Sequence, residues 1–489
     1  MRLGGWVVSV FVLVGCGDDG ASSGGAGGQG ASGPGGGPGS GGQSTGGDSS
    51  TGGGGTGGSA PLPCSGFPTF EDGLAPAAEV HVSTVGDDAS GDGSAAAPFA
   101  TIDRAADAAA PGTAIVVHAG TYAGGAYLEG LSGTESAPIW IGGAEGEARP
   151  LLQGGANGLA LSRARYVVVH DLEISGATAN GINCDDGGEY ANPEAARFVV
   201  FRGLDIHDIG GDGNQDCLKL SGLNDFWVKD SSFARCGGGM SGSGIDHVGC
   251  HRGVIANSRF EQMAGNAMQC KGGSEDLTIV ANHIVDGGQR AVNMGGSTGF
   301  EFFRPPLSPG SPNFEARRIH VLANVIERGF SALAFVGCVD CLAANNTIVD
   351  PENWVIRILQ ETVSGGGYTF LPASQGRVAN NLVYYQVGEI SVHVNVGADT
   401  DATSFSFANN LWYAHDDPGQ STPSLPVMED MGLVGVDPQL AAPASGDYHL
   451  GPESPAIAAG ALVSELAGDR DGSCYASPPS IGAYEGNPP

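Results

Sequence analysis

From residue 165 onward, short apolar runs recur, each interrupted by an Asp, Asn or Gly and closed by further apolar residues. They read VVVHDLEI (167–174), VVFRGLDI (199–206), FWVKDSSF (226–233), GVIANSRF (253–260), LTIVANHI (277–284), IHVLANVI (319–326), CLAANNTI (341–348), RVANNLVY (377–384) and FSFANNLW (405–412). The interrupting positions are Asp171, Gly203, Asp230, Asn257, Asn282, Asn324, Asn346, Asn381 and Asn410. Their irregular spacing suits one coil of a parallel β-solenoid per repeat. A single coil cannot bury its apolar face alone, so stacking of coils makes the core. Asn tolerates the left-handed geometry of a turn, and equivalent amides on successive coils can hydrogen-bond in a ladder.

A second strand follows a Gly-rich turn in each coil, with Cys217-Leu218-Lys219-Leu220-Ser221-Gly222 as its template. Side chains alternate between the two faces of a strand. This predicts Leu218, Ile245, Met268, Val292 and Leu333 inward. It predicts an outward row of Asn183, Lys219, Asp246, Gln269, Asn293, Ala334, Arg357 and His393. A mostly polar row is what any solvated sheet face presents, so the alternation supports the solenoid more than it supports a site.

Composition agrees with a turn-rich β fold. Of 489 residues 85 are Gly, and a helical chain would lose roughly 1 kcal/mol at each helix-interior Gly relative to Ala. About half of residues 17–62 are Gly, in a Gly/Ser/Thr-rich stretch with too few apolar side chains to fold, which reads as a flexible linker, yet the remainder still carries roughly twice the usual share of Gly. With 53 Asp+Glu against 21 Lys+Arg, the formal net charge is −32. No basic stripe exists to neutralise phosphates, so no nucleic-acid partner is expected. Ten Cys are present; setting Cys16 aside leaves an odd number, so at least one thiol is free or pairs between chains. Cys338-Val-Asp-Cys341 is a lone CxxC, open to a structural reading or to a redox or metal one.

Residues 1–16 carry Arg2, the apolar run 3–14 and Leu13-Val14-Gly15-Cys16. The run is too short to span a bilayer, which takes about 20 residues. The tetrapeptide resembles the lipobox of bacterial lipoproteins. That resemblance implies a cleaved signal peptide and a lipidated Cys16. It also implies membrane contact through the lipid anchor only, and a place in the cell envelope, at the outer membrane or cell surface.

Three further segments carry a second resemblance: Val80-His81-Val82-Ser83 with Gly86-Asp87-Asp88; Pro98-Phe99-Ala100-Thr101-Ile102; and Pro111-Gly112-Thr113 with Gly120-Thr121-Tyr122. With the repeats, and with Asp437-Pro438, Gly446-Asp447-Tyr448 and Ile481-Gly482-Ala483-Tyr484-Glu485, the chain resembles the right-handed parallel β-helix (pectin-lyase-like) superfamily over about residues 79–485. This implies an all-β, single-stranded solenoid of about ten coils. Residues 63–130 would hold the opening strand, capping helix and first coil, 131–415 the repeats, and 416–489 the C-terminal coil and cap. The chain is expected to be a monomer.

The chain's three lysines are Lys219, Lys229 and Lys271, and two of them fall on the outward face. A polysaccharide lyase removes the proton next to a uronate carboxylate. It needs a base that is neutral at the working pH, and Lys serves when burial or nearby cations disfavour its charge. It also needs positive charge on the carboxylate, from cationic side chains or from Ca²⁺ held by protein carboxylates. Gly265-Asn266-Ala267-Met268-Gln269-Cys270-Lys271-Gly272 is similar to the lysine-bearing segment of family 9 pectate lyases. The resemblance implies Lys271 as base, Lys219 in reserve, and Arg290 or Arg357 on a carboxylate. It further implies a Ca²⁺ site at Asp185, Asp186, Asp212 and Asp216, although the family's fuller acidic motif is absent. Asn183, Asp246, Gln269, Asn293, Arg357 and His393 are the expected substrate contacts, and the partner would be an acidic polysaccharide or a cell-surface glycan.

Two other readings stay open. Asn214-Gln215-Asp216-Cys217 resembles the Asn-Gln-Asp-Asp-Cys motif of family 28 polygalacturonases, which are inverting hydrolases, but the adjacent second Asp is missing. A tethered β-helix also serves as a glycan-binding or adhesion surface without turnover. Trp354, Tyr368, Tyr384, Tyr385, Trp412 and Tyr413 are its candidate stacking residues, and the insertion 298–316 either walls a groove or lies as a lid over the coils.

Overall fold

The structure, a computed structural model, describes Cys64 and residues 66–486 apart from 212, 239, 240 and 467. The expectations for Cys16, for the linker and for Asp212 lie outside the described residues. Among those described, the coils stack into three parallel sheets of 13, 10 and 12 strands. The first runs from Ala78–Val82 to Ser406–Ala408, the second from Ala126–Glu129 to Val394–Val396, and the third from Thr121–Ala123 to Leu433–Val434. The repeats align in register: Val167 pairs with Val199 and Val199 with Phe226, all three buried in one continuous core. A short helix, Ile102–Ala108, follows the first strand of the stack, with Thr101 as its N-cap and Ile102 and Ala105 turned inward.

The Asn repeats split into two adjacent positions. Asn282, Asn324, Asn346, Asn381 and Asn410 form the ladder. Each amide nitrogen donates to the next coil's side-chain oxygen, at 3.0, 3.0, 2.9 and 2.9 Å. Asn410 ends it on the half-buried carboxylate of Glu429, which accepts from Asn410 Nδ2 at 2.7 Å and from Trp412 Nε1 at 2.7 Å. Toward the N-terminus, serine takes over: Ser258 N–H donates to Asn282 Oδ1 at 3.0 Å and Ser231 N–H to Ser258 Oγ at 3.2 Å. Asp171, Asp230 and Asn257 do not belong to the ladder. They occupy the preceding residue, whose φ near +50° is left-handed. There short polar side chains are favoured for the turn itself.

The segment following Cys64 straps the outer face of the first sheet. Phe67 packs with Ala256, Val280, Leu322 and Leu342, and Phe70 meets Tyr166, Phe198 and Trp227 edge-on. Glu71 accepts from Trp140 Nε1 at 3.0 Å and from Arg202 Nε at 2.8 Å. A Cys64–Cys474 disulfide closes this strap onto the C-terminal segment. Cys217–Cys236 and Cys338–Cys341 are also bonded. Cys184, Cys250 and Cys270 are free and buried, in keeping with the odd count. The CxxC pair is a disulfide inside the core, which favours its structural reading.

Candidate functional site

The second sheet builds the site. Tyr127, Ala160, Asn183, Lys219, Asp246, Gln269, Asn293, Ala334, Arg357 and Asn395 stand opposite one another on successive coils. The predicted inward set, Leu218, Ile245, Met268, Val292 and Leu333, is buried without exception. The row departs from expectation at its last member. Asn395, not His393, faces Arg357, while His393 packs aside against Tyr385 and Trp412.

At the centre of the row two lysines converge on one oxygen. Lys219 Nζ lies 2.5 Å and Lys271 Nζ 3.4 Å from Asp246 Oδ2. Lys219 also approaches Asp216 Oδ2 at 3.7 Å. The two carboxylates are 1% exposed and the two lysine side chains 15% and 14%, so the cations form the outer layer and the anions its floor. Burial pushes the Asp216 carboxyl up, against the pull of Lys219. Burial acts on Asp246 as well, but the two lysines outweigh it and hold that carboxyl below its usual range. Asp246 Oδ1 and Asn293 Oδ1, both in the row, have no hydrogen-bond donor among the described residues. His247, next in sequence to Asp246, faces the core, where burial drives it down to about 4.

Beside Lys271 the strand Val292–Gly295 slips register at a bulge, and the chain leaves the coil as the insertion expected at 298–316. Buried Glu315 anchors it. Its carboxylate accepts from Gly272 N at 2.9 Å, from Thr298 N at 3.0 Å and Oγ1 at 2.8 Å, and from the Thr362 hydroxyl of a second insertion. Burial raises the Glu315 carboxyl above its ordinary value. Phe300 and Phe303 pack on Phe370 of that second insertion, so the two loops form one packed wall.

Three of the four expected calcium ligands, Asp185, Asp186 and Asp216, lie among the described residues. Asp186 is buried against Arg304 of the first insertion, at 2.7 and 3.2 Å, and that guanidinium also stacks on Tyr190. Gly222 and Gly249 make room for it. A Cβ on either would strike the Arg304 side chain, and both have left-handed φ. Asp185 is engaged by Ser162 Oγ at 2.8 Å and Asn183 Nδ2 at 2.7 Å, and Asp216 by Ser243 N at 2.7 Å. Ca²⁺ takes about six to eight oxygens. Among the described residues no group of three or more His, Cys, Asp or Glu side chains is placed to hold a metal. As placed, Asp185, Asp186 and Asp216 are each committed to protein partners.

Farther along the row, Arg357 stacks over the Trp354 ring at 4.1 Å and donates from Nε to Asn395 Oδ1 at 3.3 Å. Arg290 Nη2 pairs with Glu361 at 2.5 Å nearby. Of the expected stacking residues only Trp354 reaches this face. Trp412 and Tyr385 are core, Tyr384 and Tyr413 pack together on the third sheet, and Tyr368 packs on Phe300 of the insertion. Sequence reasoning passed over Tyr127, 55% exposed at the opposite end of the row, and Phe330, which meets Trp354 edge-on. Carrying the same alternation back one more coil, to Ala126-Tyr127-Leu128, would have found the tyrosine.

Residues 157–304 match the family model described as right handed beta helix region. No curated protein matches significantly. Among solved structures the chain is similar to a pectate lyase, Pel9A, at 16% identity, covering 85% of this chain and 98% of that one with a TM-score of 0.49. It is also similar to an alginate lyase from Paenibacillus sp. str. FPU-7, at 16% identity, 66% and 99% coverage and a TM-score of 0.44. A rhamnogalacturonan lyase follows at 14%, 71%, 89% and 0.39. At these identities the likeness is one of fold. Three parallel sheets and the matched region agree that the chain folds as a right-handed parallel β-helix.

Proposed function

We propose that the outer face of the second sheet binds an acidic polysaccharide and cleaves it by β-elimination at the Lys219–Lys271 pair. The observation that carries this reading is the convergence of both lysines on one oxygen of buried Asp246. In a chain with net charge −32, two of three lysines sit side by side on one sheet face, held from beneath. Such an arrangement presents positive charge to an anionic ligand with little reorganisation.

In the step itself Lys219, nearer to Asp246, meets the uronate carboxylate and the negative charge that spreads onto it. Lys271, held less tightly, first gives its ammonium proton to solvent, and the free amine then takes the proton from the carbon bearing that carboxylate. The electron pair of that C–H bond becomes the ring double bond, the C–O bond to the next sugar breaks, and the departing oxygen takes a proton from solvent. Asp216 and Asp246 lie beneath the lysines, which disfavours the hydrolytic alternative, since inversion needs an acid and a base that both reach the scissile bond.

The protein is proposed to act in the cell envelope as a monomer, tethered through a lipidated Cys16. Cys16→Ala is expected to release it from membrane fractions, and retention there would contradict the anchor. The activity is tested by incubating it with polygalacturonate, alginate and chondroitin, each with and without a calcium chelator. Unsaturated uronate that accumulates equally under both conditions supports the reading. Glycan affinity with no product would leave a binding protein, and reducing ends without unsaturation would indicate hydrolysis.

A further inference from the structure

Arg357 differs from most arginines of the chain. Fourteen described arginines lie within ion-pair distance of an Asp or Glu. Arg357 lies within ion-pair distance of none among the described residues, and it touches the Trp354 ring and the Asn395 amide oxygen. The carboxylate near it, Glu361, is taken by Arg290. Arg290, Arg357 and Glu361 together therefore leave one positive charge over. Half burial, and secondarily the charge of Arg290, depress the Arg357 guanidinium to about 10. A cation that is partly desolvated and next to another cation is stabilised by an incoming anion. Arg357 offers its remaining N–H groups in a planar fork that matches a carboxylate. Trp354 and the partly exposed Phe330 stand beside it at right angles, with centroids 5.0 Å apart, and an aromatic next to a polar fork is a surface on which a sugar ring can lie.

We infer that Arg357, Trp354 and Asn395 form a separate uronate-binding subsite on the same face as the lysine pair. This rests on the reading that the face takes an acidic glycan. Arg357 stands three strand steps from Gln269, through Asn293 and Ala334, which is about 14 Å along the coil axis. One sugar ring cannot touch both places. The ligand is therefore an oligosaccharide lying along the axis of the helix, with one carboxylate on the lysines and another, several units on, at Arg357. Tight binding then requires chain length as well as charge.

The test measures binding by calorimetry on Lys271→Ala protein, which would not consume the ligand, and on the same protein carrying Arg357→Gln or Trp354→Ala. The probes are size-graded oligomers of galacturonate and mannuronate, hyaluronan oligomers, and methyl-esterified oligogalacturonates. Removing a charge-assisted contact is expected to weaken binding of the long acidic oligomers at least about tenfold. Disaccharide binding should be unchanged, and so should the effect of Arg357→Gln on esterified chains. Trp354→Ala should weaken long chains of both kinds. Unfolding curves that match the parent's establish that the fold is retained. If the parent binds long acidic oligomers and both variants bind them equally well, the subsite is overturned while the acidic-glycan reading stands. If the parent binds none of the acidic probes, the reading itself fails, and the subsite with it.

Discussion

Lys271 and Asp246 face one another across adjacent coils, 3.4 Å from nitrogen to oxygen, and that same oxygen is held by Lys219 at 2.5 Å. A buried carboxylate with two cations above it is a stable arrangement only while all three are present. Breaking such a pair by removing one partner leaves charge without compensation.

Asp246→Asn is therefore expected to cost about 2 kcal/mol of stability, the lysines being able to reach water. It also leaves two like charges as neighbours, with nothing beneath to hold their direction. Chemical denaturation reads the first effect. The second appears as a displaced pH–rate profile on acidic polymer. A destabilised variant with an unmoved profile would reduce Asp246 to a packing role.

The amide ladder makes a separate prediction. Asn324 accepts from Asn282 N–H and Nδ2, donates to Asn346 and to the Ile279 carbonyl, and is fully buried. Asn324→Ala strands donors on one coil and an acceptor on the next, at an expected cost of about 3 kcal/mol. Asn324→Ser should cost less, because serine already does this job at Ser231 and Ser258. Equal losses from the two substitutions would mean that packing, not hydrogen bonding, sets the value of the position.

His247 gives a prediction in pH. Its ring is buried, with Nδ1 2.9 Å from the Gln269 carbonyl, and burial lowers it from 6.5 to about 4. A group depressed on folding contributes stability that is present above its unfolded value and lost as pH falls toward its folded one. The loss between pH 6.5 and about 4 amounts to roughly 3 kcal/mol. His247→Gln removes the titration, so the variant should lose less stability than the wild type between neutral and acid buffer. Parallel pH dependence in the two proteins would contradict this.

Much of the architecture was legible because it is periodic. Apolar runs one coil apart and an alternation of two residues require no knowledge of distant contacts, and they placed Lys219, Asp246, Gln269, Asn293 and Arg357 in one row. The same alternation could not place His393. Positions 393 and 395 share parity, and only pairing with the preceding coil puts Asn395 opposite Arg357. The partner of one expected metal ligand was illegible for a related reason. Asp186 is neutralised by Arg304, 118 residues away in an irregular insertion, and no local pattern announces such a partner. Nor did polarity reveal that Asp246 is fully buried. The lysines that cover it come from the coils on either side.

The central claim concerns Lys271, and one comparison addresses it most directly: wild type against Lys271→Ala, measured side by side for release of unsaturated uronate and for affinity toward the same acidic polymer. Removing one of the two cations over Asp246 costs stability, so the two proteins are compared under conditions where both are folded; affinity should fall only in part, Lys219 remaining, while turnover is lost. Turnover that survives the substitution would make Lys271 a solvated charge and contradict the mechanism proposed for this face.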